Sequence, residues 1–407
     1  MTKKSYIVAL IILTFFVISF LTNIIGPLVP DVIKSFDLSL TTVALLPFAF
    51  FIAYGVFSIP AGVLVEKYGE KKMMVMAFLV AFLGAQLLAL FPQFYIYLFS
   101  LFMIGSGMAV LQVAINPLLR VAGGESHFAF NSVLGQLFFG LASFLSPLVY
   151  SALVSGESNQ DGFLDLIAGL APDNLPWVSL YWVFAIISLI MVVVIGMTSF
   201  PKVVLKEDEK VGALQTHFTL LKNPIVILYF FGIFCYVGLE QGVANFMSEF
   251  LQTYHRVDPQ TDGAGIVSLF WGLMTAGTVL GLVLLKFIDS RRVLIGFSIA
   301  AILILAIALF GSKQMALLGF PAVGFFISIM WSVIVSLALN SVATHHGSFS
   351  GILVTGIAGG AILPLIIGAI GDAVGLQLGM AFNFVALGYI LSIGIWSKPL
   401  INNKTIS

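Results

Sequence analysis

Charged residues are scarce in this sequence. Only 9% of its 407 residues are Asp, Glu, Lys or Arg, whereas 60% are hydrophobic. A water-soluble fold of this length could not bury so much apolar surface, so the composition excludes an ordinary soluble protein and indicates a chain embedded in a lipid bilayer. The formal net charge is zero, and we therefore predict no nucleic-acid partner.

Cysteine is nearly absent as well. The single Cys235 lies inside an apolar run, which excludes a disulfide framework and predicts a small core side chain. The sequence also lacks a zinc-like ligand cluster, a phosphate-binding loop and a nucleophile motif. We therefore predict that the protein is not an enzyme or an ATP-driven pump and that it carries no cofactor.

Long apolar runs, in contrast, are abundant. Charge clusters, glycines and prolines divide the chain into twelve runs of about the length that a membrane-crossing helix needs. The predicted spans one to twelve cover residues 6–30, 41–64, 73–91, 95–119, 127–153, 178–200, 224–251, 264–286, 292–310, 314–343, 348–370 and 375–396. An even number of spans places both ends of the chain on one side of the membrane.

The distribution of Lys and Arg indicates which side that is. Fifteen of the eighteen basic residues fall in the segments that share a side with the termini, and only Lys34, Arg256 and Lys313 fall in the others. Because basic residues collect on the cytoplasmic side, we predict a multi-pass protein of the cell inner membrane with both termini cytoplasmic.

A polar segment after span six divides the chain. Residues 201–223 contain the run KEDEK and are predicted to form a cytoplasmic linker. This linker would join an N-terminal six-helix bundle at 1–200 to a C-terminal six-helix bundle at 224–407. The predicted fold is an all-α membrane protein of two pseudo-symmetric bundles, with a site between them near the bilayer midplane, and we expect a functional monomer.

The turn after span two has a specific pattern, GVLVEKYGEKK at Gly62–Lys72. It resembles the signature loop of the major facilitator superfamily, and a degenerate copy, LVLLKFIDSRR, follows span eight. An ordinary basic turn containing glycine is the alternative interpretation. The resemblance implies a gating loop formed by Gly62, Glu66, Lys67, Gly69, Lys71 and Lys72.

No Lys or Arg lies near the middle of any span, which argues against an anionic substrate and favours a neutral one.

One acidic residue does lie near the middle of a span. Glu240 is about midway between Lys222 and Arg256 in span seven, and Gln241 and Asn245 beyond it share one helix face. A carboxylate at this depth can bind a proton, help to coordinate a sodium ion or accept hydrogen bonds from hydroxyl groups. Structural bonding to a neighbouring helix is the alternative.

Span four carries the stretch LQVAINP, in which Gln112 and Asn116 are one helical turn apart. Their amides each offer donors and an acceptor, which suits a sugar hydroxyl. Pro117 removes a backbone donor and can kink the helix toward a cavity. Hydrogen bonding between the amides and neighbouring spans explains the same spacing equally well.

Further candidate binding residues are polar or aromatic side chains within spans: Asn23, Gln136, Thr355, and Trp271 and Trp331 for stacking on a sugar ring. For each tryptophan alone, packing in the membrane is the more common role. Asp31, Glu249 and Asp372 fall near outer helix ends, where we expect solvated side chains.

Three stretches resemble one family, the fucose–galactose–glucose:H+ symporter family within the major facilitator superfamily. They are GMAVLQVAINPLLRVAGGE at 107–125, YVGLEQGVANFMSEFL at 236–251 and SGILVTGIAGGAILPLIIGAIGD at 350–372, and Gln136 matches a glutamine of that family in span five. The resemblance covers nearly the whole chain. It implies a symporter that imports a neutral monosaccharide such as glucose or galactose by alternating access, with Glu240 in the position of a family acid.

Two departures narrow this expectation. Fucose permeases have an Asn-Leu-Asn-Asp run in span one whose Asp is implicated in proton coupling, but that position is Gly26 here. Fucose permeases also have an acid in span four, where this chain has Gln112. The chain is therefore more similar to glucose/galactose-type members, and Glu240 is the main candidate for coupling. Proton coupling, sodium coupling with sodium near Glu240, and facilitated diffusion stay open. An exporter of a drug or small metabolite is the alternative function, and a sensor without transport is a third.

Overall fold

The computed structural model describes residues 3–124, 128–154, 162–201, 203, 214–342 and 344–400. Within these ranges the regular structure is entirely helical. Twelve helical segments there are long and apolar enough to cross a membrane, which confirms the predicted number of spans. Spans one to twelve comprise Ser5–Phe36, Leu40–Tyr68, Glu70–Leu90, Phe94–Gly123, Asn131–Val154, Pro176–Met197, Pro224–His255, Pro259–Phe287, Ser290–Phe310, Lys313–Leu339, His346–Val374 and Leu376–Trp396.

Several spans are interrupted helices, and their breaks leave backbone groups outside the regular helical bonding pattern. The interrupted spans are built from Lys3–Thr22 and Ile25–Phe36 in span one, Leu40–Val43 and Leu45–Tyr68 in span two, Pro176–Val178 and Ser179–Met197 in span six, Pro259–Gly263 and Ala264–Phe287 in span eight, Lys313–Ile327 and Met330–Leu339 in span ten, His346–Thr355, Gly356–Ala358 and Gly359–Val374 in span eleven, and Leu376–Ala381 and Asn383–Trp396 in span twelve. Span five begins within the helix Phe128–Val154, and two short helices, Phe163–Ala168 and Leu214–Leu220, lie between spans.

The spans pack into two six-helix bundles, spans one to six and spans seven to twelve. Glycines allow close backbone approach inside each bundle. A Cβ atom on Gly105 of span four would lie 2.2 Å from the backbone oxygen of Phe50 in span two, and one on Gly359 of span eleven would lie 1.9 Å from that of Phe234 in span seven. Because the hydrophobic effect does not drive helix association in lipid, the close van der Waals packing that small residues allow at such crossings stabilises the bundles instead.

The two ends of the helix bundle, one at each side of the membrane, differ. We call the end that carries Lys3 and Leu400 the terminal face, and the other end the opposite face. At the opposite face the bundles touch: a Cβ atom on Gly26 of span one would lie 2.2 Å from the backbone oxygen of Ala244 in span seven. In this conformation there is no room for any side chain at Gly26.

Two acids that we expected to be solvated, Asp31 and Asp372, also bridge the bundles at the opposite face; Asp372 is exposed as expected, whereas Asp31 is partly buried. Asp31 of span one accepts hydrogen bonds from Tyr150 and from the Gln260 amide at 3.0 Å, and Asp372 of span eleven accepts bonds from the start of span two. Their partners lie more than a hundred residues away in sequence, so the local pattern could not reveal them.

The signature turn lies at the terminal face. Span two ends at Tyr68, Gly69 adopts a positive φ of 84° that residues with a Cβ rarely adopt, and span three begins at Glu70. In the degenerate copy, Asp289 caps span nine instead, accepting from the Arg291 N–H at 3.0 Å.

The predicted linker at 201–223 falls largely outside the described residues. Its last part contains the helix Leu214–Leu220, which packs near the start of span eleven. The division of the chain at residues 200 and 224, with bundles at 1–200 and 224–407, stays a prediction.

Candidate functional site

A cavity of about 520 Å³ lies between the two bundles. Its wall comes from spans one, two, four and five of the first bundle and from spans seven, eight, ten and eleven of the second. The wall extends toward the terminal face, where it includes Ser132, Leu282 and Ser336, whereas the bundles touch at the opposite face. The volume is within the range of roughly 300–1,000 Å³ that is typical of small-molecule sites.

Glu240 is the only charged side chain that lines this cavity among the described residues. The Tyr236 hydroxyl donates a hydrogen bond to Oε2 of Glu240 at 2.7 Å, and Nε2 of Gln241 donates to Oε1 at 3.1 Å. Nδ2 of Asn245 in turn donates to Oε1 of Gln241 at 3.4 Å. This chain of bonds along span seven fixes the direction of the carboxylate without pairing it with a cation.

Tyr236 is a site residue that the sequence analysis missed. It precedes Glu240 by four residues, so both side chains project from one helix face, and its hydroxyl lies at hydrogen-bonding distance. The same i, i+4 rule that singled out Gln241 with Asn245 could have identified it. Its ring also lies 6.1 Å from that of Trp331, centroid to centroid, which links the carboxylate to an aromatic surface.

The first bundle presents uncharged amides. Gln112 of span four and Gln136 of span five both line the cavity, and neither side chain makes a hydrogen bond in the part of the chain that the structure describes. Asn23 lines it too, but its Nδ2 donates to Ser143 Oγ at 2.8 Å and thereby ties span one to span five. Gln112 and Gln136 are thus available to a ligand, and Asn23 mainly supports the wall.

Three predicted residues do not line the cavity in this structure. The Asn116 side chain is exposed, and its Nδ2 lies 3.4 Å from the backbone oxygen of Gln112 in the same helix. Asn245 is buried against Gln241, and the Thr355 hydroxyl donates to the Ile352 carbonyl at 2.6 Å. Span four runs as one helix through Pro117, so the proline does not break it and Asn116 stays one turn beyond the wall.

Aromatic side chains supply much of the remaining surface. Trp271 and Trp331 both line the cavity, as do Phe51 and Tyr54 of span two, which the sequence analysis missed. The Trp271 Nε1 atom is buried and has no hydrogen-bond partner among the described residues. Flat apolar rings beside a few polar groups are the usual composition of a site for a small polar molecule with apolar faces.

Metal-binding capacity is limited. Among the described residues, no three His, Cys, Asp or Glu side chains form a group that could hold a metal ion. A sodium ion near Glu240 would have its carboxylate and the Tyr236 hydroxyl oxygen, whereas Gln241 presents its amide nitrogen to the carboxylate.

Comparisons with known proteins agree with this architecture. A family model described as the Major Facilitator Superfamily matches residues 11–363. The chain is 32% identical over 405 residues to a glucose/galactose transporter of Brucella abortus (strain 9-941), covering 97% of this chain and 95% of the relative. It is 25% identical over 396 residues to the L-fucose-proton symporter of Escherichia coli (strain K12), covering 92% and 89%.

Among solved structures, a bacterial homolog of the human lysosomal transporter Spinster, in an inward-facing and occupied conformation, matches with a TM-score of 0.78. The match covers 98% of this chain and 97% of that chain at 15% identity, which supports the fold alone. The family model and the 32% identity together show that this chain belongs to the Major Facilitator Superfamily.

Proposed function

We propose that the protein is a cation-coupled symporter that imports a neutral monosaccharide, such as glucose or galactose, by alternating access. The observation that carries this proposal is the composition of the cavity wall: unbonded amides from one bundle face a solitary carboxylate from the other. The relative named a glucose/galactose transporter, at 32% identity over nearly the whole chain, supports the substrate class.

The amides fit the substrate. Each sugar hydroxyl both donates and accepts, and each glutamine side chain offers two donors and an acceptor. In this proposal Gln112 and Gln136 bind hydroxyls, while Trp271 and Trp331 cover the apolar faces of the sugar ring. Glu240 is the only acidic or basic side chain that the described residues bring to the cavity wall, so a neutral sugar suits this cavity better than an anion, which would lack a compensating Lys or Arg.

The carboxylate provides a route to coupling. When the terminal face closes, water leaves the cavity, and an ionised Glu240 then loses hydration that Tyr236 and Gln241 replace only in part. A bound proton or sodium ion removes that cost. Closure around the sugar therefore becomes favourable when the cation is present, and this linkage lets a cation gradient drive sugar accumulation. The relative named an L-fucose-proton symporter favours the proton.

The same proposal places the protein in its cell. The excess of Lys and Arg in the segments on the terminal face makes that face cytoplasmic in an inner membrane. The cavity then opens to the cytoplasm in this conformation. Because one chain supplies the whole cavity wall, a monomer is sufficient for transport.

Uptake by purified protein in proteoliposomes tests the proposal. We expect labelled glucose to accumulate above its external concentration when a proton or sodium gradient is imposed, and an excess of unlabelled galactose to compete. A panel of monosaccharides ranks the substrates in the same assay. Absence of sugar uptake, together with uptake of an apolar drug, would contradict the proposal and support an exporter.

A further inference from the structure

A second glycine–acid–glycine turn lies between spans eleven and twelve, at the opposite face. In GAIGDAVG, Gly368 is followed by Asp372 four residues later and by Gly375 seven residues later. In the signature turn, Glu66 and Gly69 follow Gly62 at the same two intervals. We call residues 368–375 the opposite-face turn.

The two turns also share backbone geometry. Gly69 has φ 84° and ψ 153°, and Gly375 has φ 98° and ψ 146°. Each glycine N–H donates at 2.8 Å to the carbonyl four residues earlier, and the next span begins at the following residue. A positive φ disfavours residues with a Cβ, so the glycine is required at both positions for the same reason.

In this conformation the acid of the opposite-face turn binds the other bundle. Oδ1 of Asp372 accepts from the Leu40 N–H at 2.8 Å, and Oδ2 accepts from the Thr41 N–H at 2.9 Å and the Thr41 hydroxyl at 2.5 Å. These donors form the first turn of span two. The N–H groups of a first turn have no partner within their own helix and carry partial positive charge, which a carboxylate satisfies.

Glycine also makes the contact close. A Cβ atom on Gly368 would lie 2.5 Å from the backbone oxygen of Leu40, and one on Gly371 would lie 2.8 Å from the Leu40 side chain. The Gly368 contact is with backbone, so span eleven can lie directly against the start of span two because Gly368 lacks a side chain, whereas the tip of the Leu40 side chain beside Gly371 can move. The opposite-face turn and the start of span two thus fit each other in shape and in charge.

From this geometry we infer that Asp372 is a gating residue: it holds the opposite face shut by capping span two and must release that cap when the opposite face opens. The inference rests on the alternating-access part of the proposed function, but not on the identity of the sugar or the cation. Spans two and eleven belong to different bundles, so separation of the bundles at this face breaks the three bonds. A cap of purely structural value would instead stay bonded in every conformation.

Distances between spin labels at the opposite face test this inference. In a Cys235→Ala background, nitroxides at Gln93→Cys, in the loop before span four, and at Gln314→Cys, at the start of span ten, lie on different bundles at that face. Double electron–electron resonance reports their separation. We expect Asp372→Asn to increase the ratio of the long-distance to the short-distance population about tenfold, because charged hydrogen bonds are lost. Thr41→Val removes one bond and should shift the ratio in the same direction by a smaller factor.

Glu249→Gln is the matched control, because Glu249 is an acid of the same face that accepts from Thr253 within its own span. It should leave the distances unchanged. Distributions for Asp372→Asn and Thr41→Val that superimpose on those of the parent would overturn the inference. If Asp372→Asn cannot be purified, Thr41→Val decides alone. The measurement needs neither sugar nor a gradient, so its failure is distinct from a failure of sugar uptake.

Discussion

The two bundles contribute different chemistry to the same cavity. The first bundle supplies Gln112 and Gln136, whose amides have no hydrogen-bond partner among the described residues, whereas the second supplies Glu240, an ionisable group held by two hydrogen bonds. An unbonded amide can exchange water for a substrate hydroxyl at little cost in protein contacts. A carboxylate that neighbours hold in place can bind a small cation without rearrangement. We infer a division of labour, in which one wall recognises the sugar and the other senses the cation.

The largest effect is expected at Glu240. Glu240→Gln keeps the shape of the side chain but removes the charge, so gradient-driven accumulation of glucose should fall to simple equilibration, while exchange of labelled for unlabelled sugar continues. Proteoliposome uptake with and without the gradient measures both. Glu249→Gln serves as the control and should accumulate sugar normally. Accumulation by Glu240→Gln would contradict the claim that the wall of the second bundle senses the cation.

The next effect is expected at the amide wall. In this account Gln112→Ala and Gln136→Ala each remove one hydrogen bond to the sugar, and we expect each to weaken glucose binding about tenfold, from roughly 1–1.5 kcal/mol for the lost bond. Equilibrium binding to purified protein measures the change. Asn116→Ala is the matched control, because this amide is outside the cavity wall, and an equal loss there would contradict the assignment.

A smaller effect is expected where the bundles touch. Gly26→Ala adds a Cβ atom 2.2 Å from the Ala244 oxygen, so it should disfavour closure of the opposite face and slow the cycle several-fold. The initial rate of uptake at saturating glucose measures this. Gly388→Ala, at a glycine with nothing within 4 Å of an added Cβ, controls for the substitution itself.

The smallest effect is expected at Tyr236. Tyr236→Phe removes one of the two hydrogen bonds to Glu240 but leaves the bond from Gln241. The affinity for the coupling cation should therefore change by about two- to fivefold. The affinity for glucose at saturating cation should stay unchanged. The dependence of initial uptake on cation concentration gives the first value and on glucose concentration the second. Loss of glucose affinity alone would assign Tyr236 to the sugar.

The sequence predicted what depends on composition and on short spacings. The twelve apolar runs follow from local patterns and are confirmed by the structure, which also places Gly69 of the signature turn at a positive φ and Glu240 in the cavity wall. Gln112 and Gln136 stand out in the sequence because polar side chains are costly in membrane helices, and both line the cavity.

What the sequence could not predict depends on contacts between distant segments. Asp372 lies exposed at a helix end, as the sequence predicts, but its three hydrogen-bond donors belong to span two, more than 300 residues away. Spacing alone could not separate Gln112 from Asn116, because a turn of helix decides whether a side chain reaches the cavity. The role of Gly26 likewise depends on its contact with the backbone of Ala244 in span seven.

Equilibrium binding of labelled glucose to purified wild-type protein and to Glu240→Gln, across a range of proton and sodium concentrations, tests the division of labour most directly. The account predicts that glucose affinity rises with one of the two cations in the wild type, and that Glu240→Gln binds glucose with an affinity independent of both. An affinity that still depends on the cation after this substitution would contradict it.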